Sequence, residues 1–187
     1  MNGGRARERA SRPTGSGGIG SAQGAQRPST GRAPGSILVF AGGVGGARFI
    51  RGLTRVVDPR RVTVIGNTGD DDTFFGLHVA PDLDTVLYTL AGRVDRSRGF
   101  GLAGDTFRVL DRVGALGGPT WFGLGDRDLA THLVRTRWLQ AGVPLSEVTR
   151  RLARLLGVRA TLLPMSDDPV RTFVHTERGR LAFQRYL

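Results

Sequence analysis

Short apolar runs alternate along this chain with segments whose apolar residues recur every three or four positions. The first run covers Ile37 to Phe40, and a helical pattern with Phe49, Ile50 and Leu53 follows it at once. A second, β-branched run occupies residues 62–65. This alternation predicts βαβ units, in which helices connect neighbouring parallel strands.

Two more helices are predicted in the middle of the chain. The first has Val86 and Leu87 on its inner face and ends at Gly92, and the second begins at Asp105 or Thr106. Glycine suits the position after a helix because it adopts the left-handed conformation without strain, whereas aspartate and threonine accept hydrogen bonds from free amides at a helix start. Residues 66–84, GNTGDDDTFFGLHVAPDLD, are interpreted as a loop.

Residues 127–142 and 146–157 carry the last two predicted helices. On the earlier helix, we expect one inward face made of Leu129, Leu133 and Leu139. The later helix is expected to begin at Ser146 as its N-cap and to end at Gly157, with an inner face made of Val148, Leu152 and Leu155.

The end of the chain returns to β structure. Residues 159–163 are predicted to form a strand that runs into the loop PMSDDP, and residues 170–176 and 180–186 alternate apolar and polar side chains around a turn. That alternation predicts a β-hairpin. Together the elements indicate an α/β fold, with a Rossmann-like, mostly parallel sheet flanked by helices and a C-terminal β-hairpin.

Composition separates the N-terminus from the rest of the chain. Residues 1–35 are dominated by Gly, Ser, Arg, Pro and Ala, so they cannot bury enough apolar area to offset the entropy lost on ordering. We therefore predict a disordered tail over residues 1–35 and one α/β domain over residues 36–187. The first 36 residues hold six Arg against one Glu and so contribute +5 of the formal net charge of +11.

Charge and missing residue types limit the function classes. Outside the tail the sequence shows no Arg cluster with interleaved aromatics, so nucleic acid is not the expected partner. With no cysteine, the chain has no disulfides, thiolate metal sites or Cys nucleophiles. No stretch approaches the ~20 apolar residues of a membrane span, and the N-terminus lacks the apolar centre of a signal peptide. We expect a cytoplasmic protein that binds no membrane.

The turn between the first strand and the first helix is rich in glycine. Free backbone amides and the positive end of the helix dipole converge at such a turn, which favours an anion there. We predict that a phosphate binds at Gly43, Val44, Gly45 and Gly46; the alternative is a turn whose glycines only permit close packing. Arg48 replaces the third glycine of a dinucleotide fingerprint, and a Walker A loop would need a lysine, which this chain lacks.

Five aspartates fall within the fifteen positions from residue 70 to residue 84: Asp70, Asp71, Asp72, Asp82 and Asp84. They border the loop after the second strand, at the edge where open α/β sheets bind ligands. Carboxylates there would repel a phosphate unless a hard cation lay between them, so we predict that Asp70 and Asp71 bind Mg²⁺. The competing interpretation is that Asp82 or Asp84 caps a helix and that Asp72 is a solvated loop residue.

Two further groups of polar residues are candidates for the same site. The segment WFGLGDRDLATH contains Asp126, Asp128 and His132, although Asp128 is also placed to cap a helix and a lone histidine is more often structural. The segment PMSDDPV places Ser166 and Asp167 in a loop between two prolines at a strand end. Such stiffened loops often hold functional groups, and a plain tight turn is the alternative.

With these motifs assembled, the chain resembles the 2-phospho-L-lactate transferase family of coenzyme F420 biosynthesis. The resemblance covers about residues 36–187 and rests on five segments in the family's order: AGGVGGARFIRGL, NTGDDDTFFGLHVAPDLDTVLYTLAG, GDTF, WFGLGDRDLATHLVR and LLPMSDDPVRTFV. Family members continue well beyond the hairpin. The resemblance therefore implies that this chain matches the N-terminal part of the family's domain, is truncated relative to it, and has weak or no turnover by itself.

The resemblance implies a Mg²⁺-dependent transfer of a phosphoester group. The donor is a guanylyl diphosphate adduct of lactate or enolpyruvate, the acceptor is the 5'-hydroxyl of the deazaflavin Fo, and GMP leaves; GGVGGARF favours the enolpyruvyl form. Family members commonly form homodimers. The implied roles are catalysis by Asp71 and Asp84, contacts with Fo by Asp84, Asp126 and the backbone of Gly123, and contacts with the nucleotide by Asn67, Ser166 and Asp167.

Two other functions stay open alongside an inactive truncated fragment. A non-enzymatic, nucleotide-sugar-binding regulator of the same superfamily would share the glycine turn, but it is not expected to combine PDLDTVLY with GDRDLATH. An NAD-dependent oxidoreductase would need the third fingerprint glycine and an acidic residue at the end of the second strand, where this chain has Asn67.

Overall fold

Three parallel strands form the central sheet, as the sequence predicts. In the computed structural model, which describes residues 35–177 and 179–186, β1 covers Ile37–Ala41, β2 covers Val62–Gly66 and β5 covers Thr161–Pro164. β2 lies in the centre and runs parallel to both neighbours. The tail predicted over residues 1–35 lies outside the described residues, apart from Gly35.

All five predicted helices are present, and their bounds differ from the predictions by a few residues. They are α1 (Gly43–Val56), α2 (Pro81–Leu90), α3 (Arg108–Ala115), α4 (Asp126–Gln140) and α5 (Leu145–Leu155). Gly92 and Gly157 have φ of 69° and 74°, as expected for glycines that follow α2 and α5. Among the described helices, none is long and apolar enough to cross a membrane.

The hydrophobic core lies on one face of the sheet, between the strands and helices α1, α2 and α5. Fully burying an aliphatic side chain contributes about 1.5–3 kcal/mol. The large aliphatic members of this core that are at most 1% exposed are Ile50, Val62, Val64, Leu83, Val86, Leu87 and Val148. On the opposite face of the sheet, Leu38 and Phe40 of β1 are 55% and 75% exposed, so the core has a single layer of helices.

The segment predicted as a loop over residues 66–84 instead contains a hairpin. Strands β3 (Asp72–Phe74) and β4 (Leu77–Val79) pair antiparallel through Phe75 and Gly76, which have φ of 53° and 75°. Two consecutive positive φ values are what a two-residue hairpin turn requires. The backbone amide of His78 donates to Thr136 Oγ1 at 2.8 Å, which ties this hairpin to α4.

The predicted inner faces of α4 and α5 were partly wrong. Leu133 is 52% exposed and Leu155 is 72% exposed, whereas α4 buries His132, Arg135 and Thr136. The first part of α4 faces a polar site, whereas Trp138 and Leu139 near its end pack against the apolar core, so apolar spacing was right for Leu139 and wrong for Leu133. Ser146 is not the cap of α5, because the helix starts after Pro144 and Ser146 itself donates to Asp167.

The C-terminal β-hairpin is confirmed, with β6 at Phe173–Thr176 and β7 at Gly179–Ala182. The second strand is shorter than predicted, because Phe183–Tyr186 form a short helix, α6. Thr172 connects the start of β6 back to the acidic loop, since its amide donates to the carbonyl of Gly69 at 2.6 Å.

Candidate functional site

The loops after β1, β2 and β5 meet at one edge of the sheet. The amide of Asn67 donates to the carbonyl of Ala41 at 3.0 Å, and the amide of Met165 donates to that of Gly66 at 2.9 Å, so the strand pairing continues to the start of each loop. In parallel sheets the carboxyl ends of the strands form the ligand-binding edge. The sequence therefore predicted correctly that the glycine turn, the acidic loop and the PMSDDP loop share one edge.

Asp82 lies at the N-terminus of α1, next to the glycine turn. Its Oδ1 accepts from the amide of Gly43 at 2.5 Å, and its Oδ2 accepts from Asn67 Nδ2 at 2.9 Å. A Cβ at Gly42 would lie 2.7 Å from Oδ2, so glycine is needed there for the carboxylate to approach. Asp82 therefore supplies an internal negative charge to α1, while neither it nor Asp84 caps its own helix, α2.

The glycines of the turn serve different purposes. Gly43 has φ of 59°, which favours glycine, whereas Gly45 is exposed, and a Cβ added there would meet no atom within 4 Å. A Cβ at Gly46 would lie 3.0 Å from the Cβ of Ala41, so that glycine allows α1 to pack closely on β1. The close-packing interpretation thus applies to Gly46, and phosphate binding at the turn stays a prediction.

A cavity of about 560 Å³ opens beside the turn. Gly43 and Val44 form one wall, and the segment from Arg98 to Phe107 forms another. Residues from the starts of α2 and α4 complete it. Four aromatic side chains line this cavity: Tyr88, Phe100, Phe107 and Phe122. Among the residues predicted to bind or to catalyse, Gly43, Val44, Asp84 and Gly123 reach it, and so do the further candidates Asp82, Asp128 and His132.

The wall of the cavity contains a buried ion pair between Asp84 and Arg135. Arg135 Nη1 donates to Asp84 Oδ2 at 3.0 Å, and Nη2 donates to Asp84 Oδ1. The two side chains are only 6% and 2% exposed. Burial acts to lower the pKa of Arg135, but Asp84 outweighs it and raises that pKa. A planar guanidinium that engages both carboxylate oxygens is the geometry expected of a stable buried pair.

His132 continues this network toward Asp128. Arg135 Nη1 lies 3.0 Å from His132 Nδ1, and because a guanidinium can only donate, Nδ1 must be the acceptor. The proton of a neutral His132 is therefore on Nε2, which lies 3.3 Å from Asp128 Oδ1 without the angle of a good hydrogen bond. Two residue contacts thus assign the tautomer of a buried histidine.

Asp128 receives a second partner from α2. Tyr88 donates its hydroxyl to Asp128 Oδ1 at 2.5 Å, and burial together with the nearby carboxylates raises the pKa of Tyr88. Burial also acts to raise the pKa of Asp128, but the partners His132 and Tyr88 outweigh it and hold that pKa below its usual range. Asp128 is therefore an ionised carboxylate on the cavity wall, and it does not cap α4.

Asp84, Asp128 and His132 form a group that could hold a metal ion. One ligand atom from each lies within 4.8 Å of the others, and Asp84 and His132 are buried. The guanidinium of Arg135 already contacts two members of the group, so the protein itself supplies a positive charge at this point.

Helices α3 and α4 exchange their N-terminal caps. Asp105, just before α3, accepts from the amides of Arg127 and Asp128 at 2.8 and 3.1 Å, which caps α4. Asp126, the first residue of α4, accepts from the amides of Arg108 and Val109 at 3.1 and 3.0 Å, which caps α3. Both oxygens of Asp126 are thereby engaged, and Asp126 is not among the residues that line the 560 Å³ cavity.

A second acidic group, formed by Asp70, Asp71 and Asp82, has too little compensating positive charge. Burial, and then the charge of Asp82, raises the pKa of Asp70 to about 6. Burial raises the pKa of Asp71 to about 8; Arg135 acts to lower it, and Asp70, Asp84 and Asp82 add to the rise. Asp71 Oδ1 is buried and has no hydrogen-bond partner among the described residues. An unpartnered buried carboxylate oxygen among like charges fits a cation.

A smaller cavity of about 240 Å³ also borders this acidic group. Asp71 and His78 line it, together with Asp167 of the PMSDDP loop. Asp167 is engaged by Ser146, whose amide and hydroxyl donate to it at 2.6 and 2.9 Å, and Ser166 Oγ accepts from the amide of Asp168 at 3.0 Å. Ser166 and Asp167 thus organise their loop and α5, and neither lines the larger cavity.

Two residues important to the site were not predicted from the sequence: Tyr88 and Arg135. Asp105 was predicted to begin α3, but it caps α4 instead. The signal for Arg135 was present, because Asp128, His132 and Arg135 are four and then three positions apart and so share one face of α4. The cap exchange by Asp105 depends on how two helix starts meet, which sequence spacing does not encode.

The family of this chain is shown by its match to a known family model. The family model described as 2-phospho-L-lactate transferase CofD matches residues 37–186 of this chain. The chain therefore belongs to that family, as the sequence motifs implied.

Several curated relatives are similar at high identity. A phosphoenolpyruvate transferase of Streptomyces griseus is 56% identical over 155 residues, which cover 80% of this chain and 49% of that protein. One of Streptomyces avermitilis is 53% identical with the same coverage. A 2-phospho-L-lactate transferase of Methanosarcina acetivorans is 41% identical over 150 residues, covering 80% of this chain and 49% of the relative.

The chain spans about half the length of the curated relatives it matches. Among solved structures, a protein of Bacillus halodurans is 18% identical with a TM-score of 0.48, covering 80% of this chain and 46% of that one.

Proposed function

We propose that the full-length protein transfers a phosphoenolpyruvyl or 2-phospholactyl group to the 5'-hydroxyl of the deazaflavin Fo. The donor is the corresponding guanylyl diphosphate adduct, and GMP is released. Family membership and the names of the relatives, phosphoenolpyruvate transferase and 2-phospho-L-lactate transferase, support the reaction class. The higher identity to the bacterial relatives, 56% against 41%, favours the enolpyruvyl donor.

The observation that carries the proposal is that the glycine turn and four aromatic side chains line one cavity of about 560 Å³. This volume is in the range of small-molecule sites. Its aromatic walls suit a flat ring system such as that of Fo, since ring faces stack on each other and bury apolar area. The glycine turn borders the same space, so an acceptor held between the aromatic side chains would have a phosphate-binding turn beside it.

Gly43, Val44 and Gly45 are the residues proposed to hold the diphosphate of the donor. The exposed Gly45 leaves room for an anion, and the start of α1 favours negative charge. The amide of Gly43 now donates to Asp82. If the donor binds at this amide, Asp82 must share the amide with the donor or move away from it. Asn67, the other hydrogen-bond partner of Asp82, would limit that movement.

Asp70 and Asp71 are the residues proposed to hold Mg²⁺. Their raised pKa values and the unpartnered Asp71 Oδ1 indicate a local excess of negative charge that a divalent cation would offset. Carboxylate oxygens are the ligands this ion prefers, and when bound it would screen the negative charge of the transferred phosphate. Asp82 and Asn67 would then fix the orientation of Asp70.

The test is an assay of the full-length gene product with Fo and each of the two guanylyl donors. We expect GMP to appear together with the phosphoester of Fo, only when Mg²⁺ is present and faster with the enolpyruvyl donor. Tight binding of a uridine nucleotide-sugar or of NADH, with no response to Fo, would instead support a regulator or an oxidoreductase. Sedimentation of the same preparation would test the homodimer that the family resemblance implies.

A further inference from the structure

Three carboxylates of α2 and α4 line the proposed acceptor cavity: Asp82, Asp84 and Asp128. Both oxygens of Asp82 are engaged, by the amide of Gly43 and by Asn67, which leaves Asp84 and Asp128 to compare. Family resemblance points to Asp84 as the residue that contacts the acceptor. The contacts of the two side chains differ, however, in how many oxygen atoms each leaves for a ligand.

Both carboxylate oxygens of Asp84 are already engaged in hydrogen bonds. Arg135 donates to both of its carboxylate oxygens, and the Asp84 side chain is 6% exposed. Two charge-assisted hydrogen bonds from a buried guanidinium occupy both oxygens, so a ligand could bind Asp84 only by displacing part of this pairing.

Asp128 uses only one of its two oxygens. Tyr88 donates to Oδ1, and His132 Nε2 faces the same atom at 3.3 Å. Oδ2 makes no hydrogen bond to the described residues, and the Asp128 side chain is 18% exposed. Its backbone is fixed as well, because the amide of Asp128 donates to Asp105 in the exchanged cap. Asp128 thus presents one free oxygen from a rigid support.

We propose that Asp128, rather than Asp84, is the carboxylate that accepts the hydroxyl of the acceptor substrate. This inference rests on the proposed function. In the step, the hydroxyl oxygen forms a bond to the phosphorus that carries the three-carbon acid, and the bond from that phosphorus to the oxygen of the GMP phosphate breaks. The electron pair of the broken bond leaves with GMP, and the hydroxyl proton passes to Asp128 Oδ2.

The surroundings of Asp128 fit this task. Phosphoryl transfer depends more on the position of the attacking oxygen than on a strong base. Asp128 needs only to remain ionised and fixed, which Tyr88 supports by donating its hydroxyl to Oδ1, while His132 Nε2 lies 3.3 Å from the same atom. Arg135 acts through its neighbours: it holds Asp84 and sets the proton of His132 on the nitrogen that faces Asp128. Arg135 and His132 are thus positioning residues.

The experiment compares Asp128→Asn, Asp84→Asn and Asp111→Asn in the full-length gene product. Asp111 is an exposed aspartate of α3 outside both cavities and serves as the matched control. The readouts are kcat for GMP release, the dissociation constants for Fo and for Mg²⁺ by calorimetry, and the melting temperature. Asparagine at position 128 keeps the shape of the side chain but cannot take a proton.

We expect Asp128→Asn to lower kcat by about 100-fold or more, while both dissociation constants and the melting temperature stay close to those of the wild type. Asp84→Asn should lower the melting temperature, because it leaves the buried Arg135 with a weakened partner. Asp111→Asn should match the wild type in every readout.

Three results would overturn the inference. The first is Asp128→Asn with a kcat within about threefold of the wild type. The second is an equal loss of Fo binding and of turnover, which would make Asp128 a binding residue only. The third is a loss of Mg²⁺ affinity on Asp128→Asn, which would make it a metal ligand. A wild-type protein that releases no GMP with Fo would refute the proposed function, and this inference with it.

Discussion

The two acidic groups of this protein are close in space but opposite in electrostatic state. Asp84 and Asp128 are matched by protein donors, with Arg135 on the first and Tyr88 on the second. Asp70 and Asp71 lack such matching, and their pKa values rise to about 6 and about 8. The first group is complete without a ligand, whereas the second needs a cation or protons to become stable.

This difference separates structure from ligand binding within one acidic site. A buried carboxylate with a guanidinium on both oxygens is neutralised within the fold, and removing either partner alone should harm folding. A buried carboxylate with an unpartnered oxygen, such as Asp71, is destabilised as the anion and therefore takes up a proton or an external cation. Substitutions in the two groups should therefore change different quantities.

The largest effect is expected from Arg135→Met. Loss of the guanidinium leaves Asp84 buried without a counter-charge, which costs about 3–5 kcal/mol when one partner of a buried pair is removed. The free energy of unfolding in urea measures this. The double variant Asp84→Leu with Arg135→Met should regain most of the lost stability, because no buried charge is then left unpaired. If the double variant is as unstable as Arg135→Met alone, the pair does more than neutralise charge.

The next effect concerns the pH dependence of stability. The pKa of Asp71 rises from 3.8 to about 8, so the folded chain binds the extra proton and stability falls as pH rises between those values. The pKa of His78 falls from 6.5 to about 4. This shift makes stability rise with pH, but only below pH 6.5. Urea unfolding from pH 6.5 to 8 should therefore show a decline, of roughly 2 kcal/mol at most.

Asp71→Asn should flatten this decline, and Asp111→Asn should leave it as in the wild type. An unchanged slope in Asp71→Asn would assign the decline to another group. Because Asp70 has a pKa of about 6, its contribution should be complete near the start of this pH range.

Binding of Mg²⁺ should depend on the side chain of Asp71. Asp71→Asn should weaken Mg²⁺ binding by at least about tenfold, as measured by calorimetry, since even residues that only support a metal ligand contribute about that much. Asp72→Asn is the matched control, because Asp72 lies next in sequence but pairs with Arg171 at 3.2 Å. Equal losses in the two variants would point to general electrostatic attraction rather than a site.

The smallest effect is expected at the exchanged caps. A Cβ at Gly125 would overlap Oδ2 of Asp105, the residue that caps α4. Gly125→Ala should therefore displace the cap and cost about 1 kcal/mol, the usual value of an N-cap. Gly123→Ala, with no atom within 4 Å of the added Cβ, should leave the urea unfolding curve unchanged. Equal stability of the two variants would mean that Asp105 can move without destabilising the protein.

Much of the fold could be predicted because the relevant signals are local. The helix of α1 follows from its apolar spacing and the strand of β2 from its β-branched run, and Gly92 ends α2 as expected for a residue that tolerates positive φ. The hairpin of β3 and β4 was missed, since its turn places a phenylalanine, Phe75, at positive φ, which sequence patterns rarely indicate.

The sequence by itself determined the α/β class, the order of the elements and the family, because the motifs and the spacing of apolar residues are local features of the chain. Only the tertiary structure decided which aspartates are engaged and which are free. Asp84, Asp126 and Asp128 look alike in sequence, yet Arg135 engages the first, a neighbouring helix the second, and only the third keeps an open oxygen. Hydrogen bonding and charge pairing act between residues distant in sequence, so they exist only once the chain has folded.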